Sequence, residues 1–277
     1  MIGINILTVR NLYFCALMKK AFIFLLVLIL GNAMVAAAQQ KHITTKQQVW
    51  LGYMSSGMIA KKWSLWNDFH YVNNGGFFVA RTGITYQLPQ TAITAGYALL
   101  LLPMNSSNNK LARKEHRPWA QVVFSTPLAG NFSLTNRIRY DARFKQEAVD
   151  GKLTDNYLFN HRLRFQTTVR KSLPKLKWGK QVPFVNVGNE VLINIGKNIH
   201  YNTFDQYRFS FMVGVQKGNI QYMTGYMQRY VLSGYNKTTD VFDYTANHSL
   251  AIWVIQKLDL RKLKHAHQHN NLHQSAD

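Results

Sequence analysis

Phe132-Ser133-Leu134-Thr135-Asn136-Arg137-Ile138-Arg139-Tyr140-Asp141-Ala142-Arg143-Phe144-Lys145 decides the fold. Phe132, Leu134, Ile138, Tyr140, Ala142 and Phe144 fall on one face of an extended chain. Ser133, Thr135, Arg137, Arg139, Asp141, Arg143 and Lys145 fall on the other. Successive side chains of a strand point to opposite faces, so this period of two predicts a β-strand with one apolar and one charged surface. The next segment repeats the design: Tyr157, Phe159, Leu163, Phe165 and Val169 alternate with Asn160, Arg162, Arg164, Gln166, Thr168 and Arg170. His161 and Thr167 are the weak points of its apolar face.

Outward from this pair the same pattern predicts strands at about 47–59, 63–72, 77–88, 91–102, 118–126, 182–195, 205–217, 219–232 and 244–260. That makes about eleven. Bacterial membrane barrels close with an even number of strands, so twelve are expected, with ten second, and residues 39–46 are the place for a missing one. Connections alternate between tight turns (Ala60-Lys61-Lys62, Pro89-Gln90, Ala129-Gly130-Asn131, Lys217-Gly218-Asn219) and long polar loops at 103–117, 147–156 and 233–243. Short turns on one rim and long loops on the other describe an outer-membrane barrel. The connection from Ser172 to Gln181 is longer than its class should be. Trp63, Tyr71, Trp119, Phe132, Tyr157, Tyr207, Tyr230 and Tyr244 lie near strand ends, where interfacial aromatic girdles belong.

The leader fits that address. Met18-Lys19-Lys20 precedes an apolar run, Ala21 to Leu30, that closes on Ala36-Ala37-Ala38, the order of a secretory signal peptide. Residues 1–17 read as an upstream extension, 18–38 as the signal, 39–260 as the barrel domain and 261–277 as a basic, His-rich tail. The mature chain, 39–277, would carry 30 basic against 12 acidic residues, after a whole-chain charge of +21. The single cysteine, Cys15, excludes a disulfide framework and a Cys-x-x-C redox motif.

Nine of the thirteen arginines sit in predicted strands on the polar phase: Arg81, Arg137, Arg139, Arg143, Arg162, Arg164, Arg170, Arg208 and Arg229. Asp68, Asp141 and Glu190 accompany them by this phasing. In a membrane barrel that face is the lumen, so the expectation is an arginine-lined, electropositive interior, either cross-linked by carboxylates or open to small anions. Glu115, Glu147, Asp150, Asp155, Asp205, Asp240 and Asp243 fall in or beside the predicted outer loops, whereas Lys61, Lys62, Lys171, Lys175, Lys177, Lys180 and Lys217 make the opposite rim basic.

Catalytic signals are sparse. His248 and Ser249 are adjacent, so on a strand they point to opposite faces and cannot form a dyad. His161, His70 and Asp68 are the other residues to inspect for a lipid hydrolase or acyltransferase. In the tail, His265, His267 and His269 are weak candidates for capturing a metal, and a disordered polar tail is the ordinary reading of such a tract. No cofactor is expected. The basic residues alternate inside strands rather than gathering on a patch, which argues against nucleic acid as a partner.

Three segments carry a resemblance: Lys61-Lys62-Trp63-Ser64-Leu65-Trp66, Asn136-Arg137-Ile138-Arg139-Tyr140-Asp141-Ala142-Arg143-Phe144, and Asn160-His161-Arg162-Leu163-Arg164-Phe165. They resemble the bacterial domain-of-unknown-function family 2490, over about residues 45–260. The resemblance implies an outer-membrane β-barrel and brings no activity, ligand or catalytic residue with it.

The expectation is therefore an all-β chain: a single antiparallel transmembrane β-barrel of about 10–12 strands in the bacterial outer membrane. Outer-membrane lipids and the barrel-assembly machinery are its expected partners, with small anions a further one. Its role would be structural or that of a narrow anion-preferring pore. The alternatives are an outer-membrane lipid hydrolase or acyltransferase, and a secreted soluble ligand-binding barrel.

Overall fold

Each segment of alternating pattern forms a strand, and the ladder runs further than the apolar pattern does. The computed structural model describes residues 41–103 and 112–261. Its strands are β1 (Lys41–Ala60), β2 (Trp63–Val72), β3 (Phe78–Gln87), β4 (Thr91–Pro103), β5 (Ala112–Leu128), β6 (Phe132–Val149), β7 (Lys152–Ser172), β8 (Gln181–Ile195), β9 (Phe204–Lys217), β10 (Ile220–Asn236) and β11 (Val241–Asp259). They close into a barrel in which each strand neighbours the next and β11 meets β1. The signal segment, the upstream extension and the His-rich tail beyond Arg261, with His265, His267 and His269, lie outside the described residues.

Among the described residues the barrel has eleven strands, so the expected even number is corrected. Residues 41–46 lengthen β1 and do not add a strand. With consecutive strands running antiparallel, an odd count forces the first and last to run the same way. The contacts across that seam show it. A Cβ on Gly52 would meet Trp253, a Cβ on Gly57 would meet Leu260, and the Leu260 N–H donates to the Met58 carbonyl at 2.9 Å. Partners thus ascend together along β1 and β11. The wall is antiparallel except at this parallel seam, and the start of β1 and the end of β11 lie on opposite rims.

Two of the predicted long loops are hairpins. Asp150 and Gly151 both have positive φ (49° and 74°), the conformation of a type I′ turn whose twist matches its flanking strands. β6 and β7 therefore run up to a two-residue turn. The β10–β11 hairpin likewise turns within residues 237–240. Its tip, Tyr235–Phe242, groups with Lys41 and His42 in a second compact unit. Within that tip the Tyr235 and Phe242 rings lie 4.6 Å apart and the Tyr235 hydroxyl donates to Asp240 at 2.8 Å.

The two faces of the wall have opposite chemistry. Leu51, Phe69, Ile84, Tyr97, Phe124, Ile138, Phe165, Val187, Phe211, Tyr222 and Ile252 are exposed on the outside, while Asp68, Arg81, Glu115, Arg139, Asp141, Arg164 and Glu190 are buried. Trp119, expected in an outer girdle, is buried instead, because it shares the inward phase of β5 with Arg117 and Gln121.

Candidate functional site: the charged interior of the barrel

Antiparallel pairing places the inward charges of neighbouring strands side by side. Glu190 on β8 is a hub. Arg137 of β6 and Arg164 of β7 reach it at 2.7 Å, and Arg208 of β9 reaches it at 3.2 Å. Asp141 takes Arg139 Nε at 2.8 Å and Arg164 at 3.7 Å. The Arg139 guanidinium also stacks 4.2 Å over the Trp119 ring. Its Nη1 and Nη2 have no hydrogen-bond partner among the described residues, although Arg139 is only 1% exposed. Asp68 stands opposite Arg81 in the β2–β3 register and pairs with it.

Two interior carboxylates were expected in outer loops. Glu115 lies in β5, wholly buried, and pairs with Arg117 and with Arg143, whose Nη2 donates to Oε2 at 3.1 Å. No apolar residue marks the phase of the upper end of β5, so the sequence read it as loop. Asp205 lies in β9, where the register jumps from Leu192↔Gln206 to Ile193↔Phe204. The skipped residue is a β-bulge, which turns the Asp205 carboxylate inward to Arg162 at 2.9 Å. Asn194 ties the pair down, accepting from Arg162 Nε at 3.0 Å and donating to Asp205 at 3.0 Å. Arg117 is the interior cation that the sequence reading missed.

The remaining expected residues divide. Arg229 is buried, donates to Gln48 at 3.2 Å, and makes no ion pair with a carboxylate among the described residues. Arg170 lays its guanidinium 3.6 Å from the centre of the Phe184 ring and donates to Gln221 at 3.0 Å, away from the carboxylates. Among the described residues, five carboxylates thus face ten guanidinium groups across the interior. Unpaired buried charge is costly, and this surplus is the main electrostatic feature of the interior.

Two cavities flank the ion pairs. One of about 580 Å³ is lined by loop-rim residues such as Gly75, Asn198 and Tyr201 and by Arg117, Arg143, Arg162 and Arg229. The other, of about 260 Å³, is lined by Trp50, His70, Met212, Met227 and Trp253. Arg81, Arg164 and Arg208 line both. These arginines and their carboxylates form the partition between the two.

His70 is fully engaged. The Trp50 indole N–H donates to its Nδ1 at 2.9 Å and its Nε2 lies 2.6 Å from Asp68 Oδ1, which fixes the Nε2–H tautomer. The lack of a Cβ on Gly52 makes room for the ring. His248 hydrogen-bonds outward to the Tyr226 hydroxyl at 2.6 Å, whereas Ser249 is buried and its hydroxyl has no partner among the described residues. His161 pairs with the Tyr140 hydroxyl at 2.6 Å. No histidine among these meets a serine nucleophile. No group of three or more His, Cys, Asp or Glu side chains that could hold a metal occurs among the described residues.

The sequence profile of the family described as Protein of unknown function (DUF2490) matches residues 47–239. The chain belongs to this family. The DUF2490 match runs from β1 into the β10–β11 hairpin, so it takes in the ion-paired strands and leaves β11 beyond its end. Comparison with curated proteins and with solved structures gives no match.

Proposed function

We propose that this DUF2490 barrel spans the outer membrane and that its interior forms a partitioned, anion-preferring lumen. One observation carries the reading: the apolar face of the wall is the exposed one and the charged face is enclosed. Water would favour the reverse arrangement, and a hydrocarbon surround favours this one.

The exceptions on the outer face support it. Thr167 donates to Asn136 at 2.9 Å, Thr82 to Asn67 at 3.0 Å, and Tyr53 to Gln256 at 2.8 Å. Together with the Tyr–His pairs, these polar groups satisfy one another across strands, as a surface facing lipid requires. In this setting the loop-rim cavity is the outer vestibule and the ion-paired partition restricts passage, so conduction is low and favours anions.

Membrane fractionation of cells expressing the native leader, with boiled and unboiled samples compared on a denaturing gel, tests the reading. A carbonate-resistant, heat-modifiable band is expected. A soluble, heat-insensitive product would overturn it.

A further inference from the structure

We propose that the cavity at the loop rim is a binding site for a phosphate-bearing organic anion. This rests on the reading of a positive interior and gives that interior a ligand class. Arg117, Arg143, Lys145, Arg162, Arg208 and Arg229 line the cavity from five different strands. Asp205 is the one carboxylate lining it among the described residues. Glu115 and Glu190, which neutralise part of this charge, do not line it. The cavity therefore presents a surplus of cationic donors over its one carboxylate.

Arg229 is the sharpest pointer. It is about nine-tenths buried, lines the cavity, lies 5.6 Å from the Trp50 ring and 5.4 Å from Phe77, and its Nε has no hydrogen-bond partner among the described residues. A buried guanidinium so placed gains from an incoming anion the direct ion pair that no carboxylate among the described residues makes with it.

A tetrahedral phosphate suits the arrangement better than a planar carboxylate. Its three or more acceptor oxygens point in different directions and can be met by guanidinium groups arriving from several strands at once, whereas a carboxylate offers two oxygens in one plane. Apolar side chains line the cavity beside these cations, Phe77, Leu100 and Leu102 among them, and offer a surface to the organic part of the ligand. The volume, about 580 Å³, is that of a small-molecule site.

Calorimetric titration of the folded barrel in detergent with phenyl phosphate, inorganic phosphate, phenol and succinate tests the assignment. Phenyl phosphate should bind more tightly than inorganic phosphate, with phenol silent and succinate weaker. Arg229→Gln should weaken phenyl phosphate about tenfold, the loss of a charge-assisted hydrogen bond, and Arg229→Lys should recover part of it. Lys237→Gln is the unaffected control, and heat-modifiable mobility checks that each variant is folded. Absence of binding heat, equal affinity for succinate, or wild-type affinity in folded Arg229→Gln would overturn the assignment. A soluble barrel that binds phenyl phosphate would keep this site and discard the membrane reading; a membrane barrel that ignores it would do the reverse.

Discussion

Asp205 meets Arg162 at 2.9 Å from the skipped position of a β-bulge. Both side chains are buried, so removing one partner strands the other's charge. Arg162→Gln or Asp205→Asn should each cost about 3–5 kcal/mol. The double variant should cost less than the sum of the two. Denaturant unfolding of the detergent-folded barrel measures all three, and strict additivity would show that the pair is uncoupled.

Glu190 holds Arg137, Arg164 and Arg208 together, and two of the three line both cavities. Glu190→Gln should loosen the partition and add to the positive surplus. Single-channel conductance in planar bilayers should rise, with the reversal potential shifting further toward the chloride value. The double variant Arg139→Ala, Arg164→Ala should lose anion preference. Unchanged conductance in both would place the path of ions elsewhere.

Thr167 and Asn136 hydrogen-bond on the outer face at 2.9 Å. In lipid, Thr167→Val leaves the Asn136 Oδ1 without its donor and should cost about 1 kcal/mol. Asn136→Leu added to it should restore stability, since both partners are then apolar. If water bathed this face the single change would be close to neutral. The sign of the second step is therefore a membrane test independent of fractionation.

Gly57 and Leu260 locate the seam. Leu260 Cγ lies 3.0 Å from where a Gly57 Cβ would stand, within the reach of a disulfide. In a Cys15→Ser background, Gly57→Cys with Leu260→Cys should cross-link on oxidation and shift mobility on a nonreducing gel. Gly57→Cys with Leu250→Cys should not. Cross-linking only in the second pair would reverse the direction of β11 against β1.

Where apolar and charged residues strictly alternate, the sequence was readable to the side chain: Arg137, Arg139 and Asp141 of β6, and Arg162 and Arg164 of β7, all lie in the ion-paired interior. It failed where alternation is broken or uninformative. The bulge inverts the phase at Asp205. At the upper end of β5, Arg113 to Arg117 is polar on both faces, so neither Glu115 nor Arg117 could be oriented. His161 and Thr167 looked like flaws in an apolar face, and each proves to be half of a hydrogen-bonded pair with a residue of β6. The Asp150-Gly151 dipeptide was a hairpin signal within a stretch read as loop. Parity was illegible because joining the first strand to the last leaves no local pattern.

The parallel seam makes this wall resistant to circular permutation. A chain re-cut in any hairpin would need β11 joined to β1, and those ends face opposite compartments under the proposed topology. The new peptide would have to traverse an apolar height of about 25 Å, roughly eight extended residues, through an interior already occupied by guanidinium groups. An epitope placed before β1 and another placed after β11 would accordingly be reached by antibody from different sides of the same bilayer.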